Sequence, residues 1–340
     1  MTSAADSTAP PGAELVTVIV VTWQGLELLP ECLASLGSQT VAARTVVVDN
    51  ASTDGTLAYL AAQTELARPP TVVALTENTG FAGGVAAGLQ HVRTPYVALL
   101  NNDAAAEPEW LQRSLEVLTR RPDVAAVTAK MLLWNTSLIN NAGVRLLAGG
   151  YGTDRGGGRP DGPDFAEAVE VFGFSGGAAV LRMAAVREVG GIEASYFLYY
   201  EDTELSWRLR LAGWSICYEP AAVVEHRHGA SSDLQSTLFA FHTERNRLLT
   251  VLRCAPAPFA LAQLGRFGLT TVSLIGRRLA RQNVPKVQVF SARVRIRVIG
   301  SVLRRLPQTI AARHRISQLR PSGNRSSVPR EKVLRRWLGG

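Results

Sequence analysis

Cysteine is scarce. The 340 residues hold three, Cys32, Cys217 and Cys254, and their spacing matches no metal-ligand motif. That excludes a disulfide framework and a zinc cluster, and it fits a reducing compartment. Long apolar runs are missing too. No stretch reaches the ~20 uninterrupted residues a spanning helix needs. The nearest, Phe259–Gly276, carries Gln263 and Arg266 and reads as a helix that is buried or lies at a surface. Met1 to Glu14 has neither the basic start nor the apolar core of a secretory signal. With Pro10, Pro11 and Gly12 it reads as a loose tail. The turn after the first strand, Thr22-Trp23-Gln24-Gly25, lacks G-x-G-x-x-G, which disfavours a dinucleotide-binding oxidoreductase. Acids are nearly missing from the last hundred residues.

What is present is globular. A hydrophobic share of 46% is far too high for a disordered chain, and the length suggests two units. The charge divides along the same line. Residues 1–240 hold 15 Lys/Arg against 26 Asp/Glu, a net of −11, whereas residues 241–340 hold 21 against 2, a net of +19. An acidic body with a basic C-terminal hundred implies an anionic partner. Nucleic acid, anionic lipid and a pyrophosphate-bearing substrate all qualify, as against a merely solvated basic surface.

Strand and helix patterns alternate through the body. Leu15–Thr22 (LVTVIVVT), Thr45–Val48, Thr71–Leu75, Tyr96–Leu100 and Val124–Lys130 read as buried strands. Helical patterns fall between them at Leu26–Gln39, Thr56–Thr64, Gly80–His91 and Pro108–Arg120. Right-handed crossovers and a mostly parallel α/β sheet follow. Gly149–Pro163, with seven glycines, reads as a flexible loop. After about residue 235 the alternation stops and arginine-studded helical segments take over.

In such a sheet ligands bind at the carboxyl ends of the strands. Thr22, Asp49, Asn78 and Asp103 stand there, each a common turn former alone but a candidate site together. Gly80-Phe81-Ala82-Gly83-Gly84 opens a helix, either to admit a ligand close to the backbone or to pack tightly. In Asn101-Asn102-Asp103 a carboxylate at a strand end suits a hard divalent cation, Mg²⁺ or Mn²⁺, bridging phosphate oxygens. Phe197–Leu211 reads FLYYEDTELSWRLRL. Glu201 and Glu204 share a helical face and Asp202 points elsewhere. A carboxylate at the mouth of an aromatic pocket is a candidate general base, although acids also favour helix N-termini. His226 and His228 follow an apolar run, and one of them is a candidate ligand beside the acidic site.

The ordered runs VTVIVVTW, VVVDNASTDGT, ENTGFAGG, LLNNDAAAEPEWL, FGFSGGAAVLR, FLYYEDTELSWRLRLAGW and VVEHRHGASS resemble the inverting family 2 glycosyltransferases, most of all the bacterial rhamnosyltransferase subgroup, over roughly residues 15–235. The resemblance implies a GT-A fold, a nucleotide-diphosphate sugar donor, dTDP- or UDP-linked, and a divalent cation. It makes Thr22 and Asp49 contacts to the donor base, with Asn78, Gly80 and Asn101 on the donor side. Asp103 matches the last acid of the metal-binding motif, whose first Asp is Asn101 here. His226, in H-x-x-G-x-S with Gly229 and Ser231, matches the metal or diphosphate histidine. Asp202 matches the general base, Gly176 and Gly177 the acceptor-side loop. Glu201, Glu204 and Arg208 take supporting roles, Arg208 paired with one of these acids.

Two residues depart from the family pattern: Gln24 and Val85 stand where Asn is usual, and both bear on donor preference. The Q-x-x-R-W motif of processive synthases is missing. The resemblance therefore implies transfer of one sugar, L-rhamnose from dTDP-rhamnose first, with UDP-galactofuranose and other UDP- or GDP-sugars as alternatives. The reading of a different class, a non-catalytic basic lipid- or nucleic-acid-binding homologue, is opposed by the intact Asp103, Asp202 and His226. The implied acceptor is a saccharide, free or on a polyprenyl diphosphate.

The organisation expected is a tail at 1–14, a catalytic domain at 15–235 and a basic, mostly helical region at 236–340. Arginines such as Arg277, Arg293, Arg297 and Arg304 interleave there with Leu, Ile and Val. That suits an anionic membrane surface on the cytoplasmic side. The aromatic and glycine patterns of RNA-binding modules are missing, so nucleic acid is not expected as a partner.

Overall fold

The computed structural model describes residues 14–65, 68–227, 236–283, 285, 287–323 and 325–339. The tail before Glu14, and His228, Gly229 and Ser231, lie outside the described residues.

Alternation begins at once: β1 Val16–Thr22, α1 Leu29–Gly37, β2 Ala43–Asp49, α2 Thr56–Ala61, β3 Thr71–Ala74, α3 Gly80–Leu89 and β4 Tyr96–Asn101. β1 to β4 pair in parallel, with β1 between β2 and β4. The strands are apolar throughout because both faces are covered. Ile19 and Val21 of β1 join one core, while Val16, Val18 and Val20 join the other. Period-two alternation divides them.

Next come β5 Ala104–Ala106, α4 Trp110–Arg120, β6 Val124–Leu133, β7 Ile139–Asn141, β8 Val144–Leu147, β9 Tyr151–Asp154, β10 Val169–Glu170, β11 Ala178–Arg182, α5 Met183–Glu188, α6 Glu201–Leu211 and β12 Ser215–His226. The main sheet runs β10-β12-β6-β11-β4-β1-β2-β3, with β5 on β12 and β7 on β6. It is mostly parallel, and β11 lies antiparallel between β4 and β6. The expected α/β architecture is therefore present. One part differs. The stretch expected to be a flexible loop from Gly149 holds strand β9, which pairs with β8. Gly149 and Gly150 are buried there, and Val251 packs against Gly150.

The C-terminal region is helical: α7 Thr237–Cys254, α8 Ala257–Leu279, α9 Ala292–Ser317 and α10 Arg330–Trp337. α7 contributes Val251 and Cys254 to a core shared with Trp207 of α6, Leu146 of β8 and Val333 of α10. The basic residues are not all at the surface. Arg245, Arg247, Arg253 and Arg295 are buried. α8 contains the expected Phe259–Gly276 helix and is, by length and composition alone, long and apolar enough to cross a membrane.

Two glycines should respond in opposite directions. Gly80 has φ +71°, and a Cβ there would stand 2.2 Å from the Phe197 carbonyl oxygen. Gly80→Ala should cost more than the roughly 1–2 kcal/mol of a left-handed residue. Gly265 lies inside α8 with nothing near its missing Cβ. Gly265→Ala should stabilise by about 0.5–1 kcal/mol. Urea unfolding of the two variants checks both signs.

Candidate active site

The carboxyl ends of β1, β2 and β4 lie in one row, because Thr22 registers with Asp49 and Val21 with Asn101. Each buried polar group there needs a partner. Asn102 Nδ2 donates to Thr22 Oγ1 at 3.0 Å. Asp49 Oδ2 accepts from the Ser52 amide at 3.0 Å, while Asp49 Oδ1 is buried with no partner among the described residues. Asn78 Oδ1 accepts from the Gly80 amide at 2.8 Å. Asn50 then ties two loops together, donating to Gly80 O and accepting from Thr79. A cleft of about 570 Å³ opens over this row, lined by Thr22, Asn78, Gly80, Asn101, Gly176 and Gly177, with Glu201 and Asp202 on its other side. Trp23, 49% exposed, and Phe81 add aromatic surface.

Asp103 and His226 meet at the β4 end. Asp103 Oδ1 is 3.0 Å from His226 Nε2, and Asn101 Nδ2 is 3.1 Å from the same nitrogen. On the ring's far side Nδ1 is 2.8 Å from Asn140 Oδ1. If the ring donates its Nδ1 proton to Asn140, the Nε2 lone pair faces a carboxylate oxygen. Two acceptors that close need a proton or a cation between them. A carboxylate oxygen and an imidazole oriented by a carbonyl-type acceptor are suitable ligands for a divalent ion. Among the described residues no cluster of three His, Cys, Asp or Glu side chains could hold a metal unaided. The remaining ligands would come from water and from phosphate, as is common for Mg²⁺.

The opposite wall is a strained segment. Phe197, Tyr199 and Tyr200 all have positive φ, at 68°, 66° and 72°. Bulky residues adopt that conformation only when the surroundings impose it. Here α7 supplies the restraint. The buried Asn246 Nδ2 lies 3.0, 2.8 and 2.7 Å from the carbonyl oxygens of Tyr196, Leu198 and Tyr199. Arg245 Nη2 donates to Tyr196 O at 2.6 Å, and its Nε holds Asn246 Oδ1 at 2.8 Å.

The left-handed Tyr200 starts α6 so that both Glu201 and Asp202 line the cleft. Asp202 Oδ2 accepts from the Gly176 amide at 3.0 Å. Its Oδ1 accepts from the Thr203 amide at 2.5 Å and from Thr203 Oγ1 at 3.1 Å. Glu201 Oε2 is buried without a partner among the described residues. Burial raises the pKa of both acids, and in Glu201 the Asp202 charge adds to it. Glu201 has only its own backbone amide to offset the burial, whereas Asp202 has the Gly176 amide and both donors of Thr203, so Asp202 is the acid better able to hold a charge at the cleft.

Not every expected residue is in the cleft. Glu204 and Arg208 form a buried ion pair at 2.6 Å, joined by Arg253 at 3.3 Å. They secure α6 to α7, away from the cleft. The expected Arg208 pairing is therefore present, with Glu204, but its role is structural. The face shared by Glu201 and Glu204 does not hold either, since Glu201 opens to the cleft with Asp202 while Glu204 is covered by α7. The two departures from the family pattern do not face the cleft. Gln24 spends its side-chain amide on Thr53, and Val85 is buried in the core. Sequence reasoning missed Asn50, Asn102, Asn140 and Asn246. Their signal was faint: an Asn doublet at a strand end, and the run Glu244-Arg245-Asn246-Arg247 inside one helix, all four buried.

Comparison with known proteins agrees with this geometry. The profile described as Glycosyl transferase family 2 matches residues 17–190, slightly more than half of the chain. An N-acetylglucosaminyl-diphospho-decaprenol L-rhamnosyltransferase of Mycobacterium tuberculosis is 28% identical over 256 residues, covering 67% of this chain and 82% of that protein. A probable glucomannan 4-beta-mannosyltransferase of Oryza sativa subsp. japonica is 30% identical over 186 residues, covering 52% of this chain. The chain spans only 31% of that relative's length. Among solved structures, a mannosyltransferase from Pyrobaculum calidifontis in complex with GDP-Man and Mn²⁺ aligns with a TM-score of 0.52. It is 18% identical, with 87% of this chain and 88% of that one covered. That likeness is one of fold.

Asn246→Ala removes the donor from the Leu198 and Tyr199 carbonyls and leaves Tyr196 O to Arg245. A misplacement of about 1 Å at a reacting group costs on the order of 10²-fold. The variant should lose that much in kcat with little change in donor KM. Asn246→Asp should fail likewise, since a carboxylate cannot donate. Steady-state kinetics that leave kcat intact in both would rule the positioning role out.

Proposed function

This chain belongs to glycosyl transferase family 2, and we propose that it is an inverting transferase moving one sugar from a nucleoside diphosphate to an acceptor hydroxyl. The observation that carries this reading is Asp202. It is an acid with three donors on its two oxygens, facing a cleft whose other wall is the polar row at the strand ends. In the proposed reaction Asp202 takes the proton of the acceptor hydroxyl as that oxygen attacks the anomeric carbon. The bond to the diphosphate breaks on the opposite side, so the centre inverts in one displacement without a covalent enzyme intermediate. Asp49 Oδ1, an orphaned buried acceptor, suits an N–H of the donor base. Asp103 and His226, with Asn101 beside them, are the residues that would hold Mg²⁺ or Mn²⁺, whose charge would neutralise the departing diphosphate.

For the donor we propose dTDP-rhamnose, with the mycobacterial relative as support. The name of that relative also supports an acceptor saccharide carried on a polyprenyl diphosphate. A GDP- or UDP-linked sugar is the second reading, favoured by the mannosyltransferases among the relatives. A thermal-shift screen of nucleotide sugars with Mn²⁺ or Mg²⁺ separates the two. A donor at 100 times its Kd should stabilise by roughly 2.7 kcal/mol.

Asp202→Asn should keep donor binding and lose about 10²–10⁴-fold in transfer rate. In the wild type the acid limb of kcat/KM should lie above the ~3.9 of an ordinary aspartate. Its pKa is raised, so the base is lost earlier as pH falls. Near-normal turnover in Asp202→Asn, with Glu201→Gln inactive, would transfer the role to Glu201.

Asp103→Ala should abolish metal-dependent donor binding, and a chelator should do the same to the wild type. Unchanged donor affinity by titration calorimetry in excess chelator would remove the metal from the scheme.

A further inference from the structure

α8 and α9 pack against each other through one face and turn an apolar stripe outward on the other. On α8 the inward residues are Phe267, Thr271 and Leu274, whereas Leu261, Leu269, Val272 and Leu279 are exposed, Leu269 at 74%. At 100° per residue the four exposed ones fall within one quadrant of the helix. On α9 the exposed residues are Ile296, Leu303 and Ile310, spaced seven apart, with Leu303 at 62%. Val294, Val298 and Val302 face inward. Solvent-facing aliphatic stripes on two neighbouring helices are a surface that covers something.

Charge says what. Arg266 and Arg277 flank the α8 stripe, and Arg293, Arg297 and Arg304 flank that of α9, all exposed. No Asp or Glu occurs from Arg245 to Arg330. An aliphatic stripe bordered by guanidinium groups, with no acid between, matches an anionic bilayer: acyl chains under the stripe and phosphates under the arginines.

α8 could cross a bilayer by length and composition, but its inner face is committed. The buried Arg295 of α9 donates to Thr271 Oγ1 and to Phe267 O, both at 2.9 Å, and its guanidinium lies 3.8 Å from the Phe267 ring centre. Withdrawing α8 into a bilayer would leave that cation buried without its acceptors. Arg266 would also enter the hydrocarbon, where a charge is costly.

We infer that α8 and α9 form a docking face that lies in the plane of an anionic membrane, with α8 half-immersed and not spanning. The inference is independent of which sugar is transferred. It deepens the reading of a lipid-linked acceptor, because the same face would hold the protein where such an acceptor is carried.

The test is flotation of the full chain with phosphatidylglycerol vesicles and with phosphatidylcholine vesicles, each at low and high salt, followed by carbonate extraction. Binding is expected to the anionic vesicles only, to fall at high salt, and to be released by carbonate. Leu269→Glu/Leu303→Glu should abolish it, and Arg297→Gln/Arg304→Gln should weaken it by roughly an order of magnitude. Both variants should keep the wild-type unfolding midpoint and donor hydrolysis in solution. Equal binding to neutral vesicles, or none to either, overturns the docking face. Resistance to carbonate overturns the in-plane placement. Loss of hydrolysis in Asp202→Asn with vesicle binding intact tests the catalytic reading separately.

Discussion

The wall of the cleft that carries Asp202 is held from α7, chiefly by one side-chain amide. The segment from Phe197 to Tyr200 places three bulky residues in a conformation that suits glycine, and its carbonyls turn toward α7. Asn246 meets two of them and the carbonyl of Tyr196 just before, and Arg245 braces Asn246. Left-handed residues of this kind cost on the order of 1–3 kcal/mol each, so the segment stands only while its partners do. α6 begins where this segment ends. The direction in which Asp202 enters the cleft is therefore fixed from behind, by a helix that does not itself supply an acid to the site.

The same logic governs the other wall. Thr22, Asn50, Asn101 and Asn102 bond one another or neighbouring loops, so the row at the strand ends is organised before any ligand arrives. Unspent capacity remains at Asp49 Oδ1 and Glu201 Oε2, both buried. A buried polar atom without a partner is costly; Glu201 lines the cleft, whereas Asp49 lies fully buried at the end of β2.

Much of this was legible in the residues. β-branched runs closed by Thr22, Asp49 and Asn101 marked the strands and their functional ends, because a strand buried on both faces has to be apolar until it emerges. The aromatic run drew attention to the three acids after it, and the family resemblance singled out Asp202. The helical wheel misjudged its neighbours. It grouped Glu201 with Glu204, since it could not know that the left-handed Tyr200 opens the helix at the cleft and that α7 covers Glu204 a turn later. The short strands β7 to β10 were invisible too, being only two to four residues long, too short to show an alternating pattern. Arginines expected at the surface proved partly internal. Arg247 pairs with Glu244, and Arg253 bridges Glu193 and Glu204. A charge count cannot tell a solvated guanidinium from a buried strut.

The path of the chain through these contacts sets an order of assembly. Val328 bonds to the Leu211 carbonyl, and Gly339 bonds to the carbonyl of Leu146. Asn246 reaches back to a loop made some fifty residues before it. During synthesis from the N-terminus, the sheet and Asp202 emerge first, while the segments that fix the catalytic loop are still inside the ribosome. The nascent domain can bury its sheet early, yet Asp202 lacks a fixed bearing until α7 has closed behind it. That bearing is thus gained only after the sheet is complete, once α7 is in place.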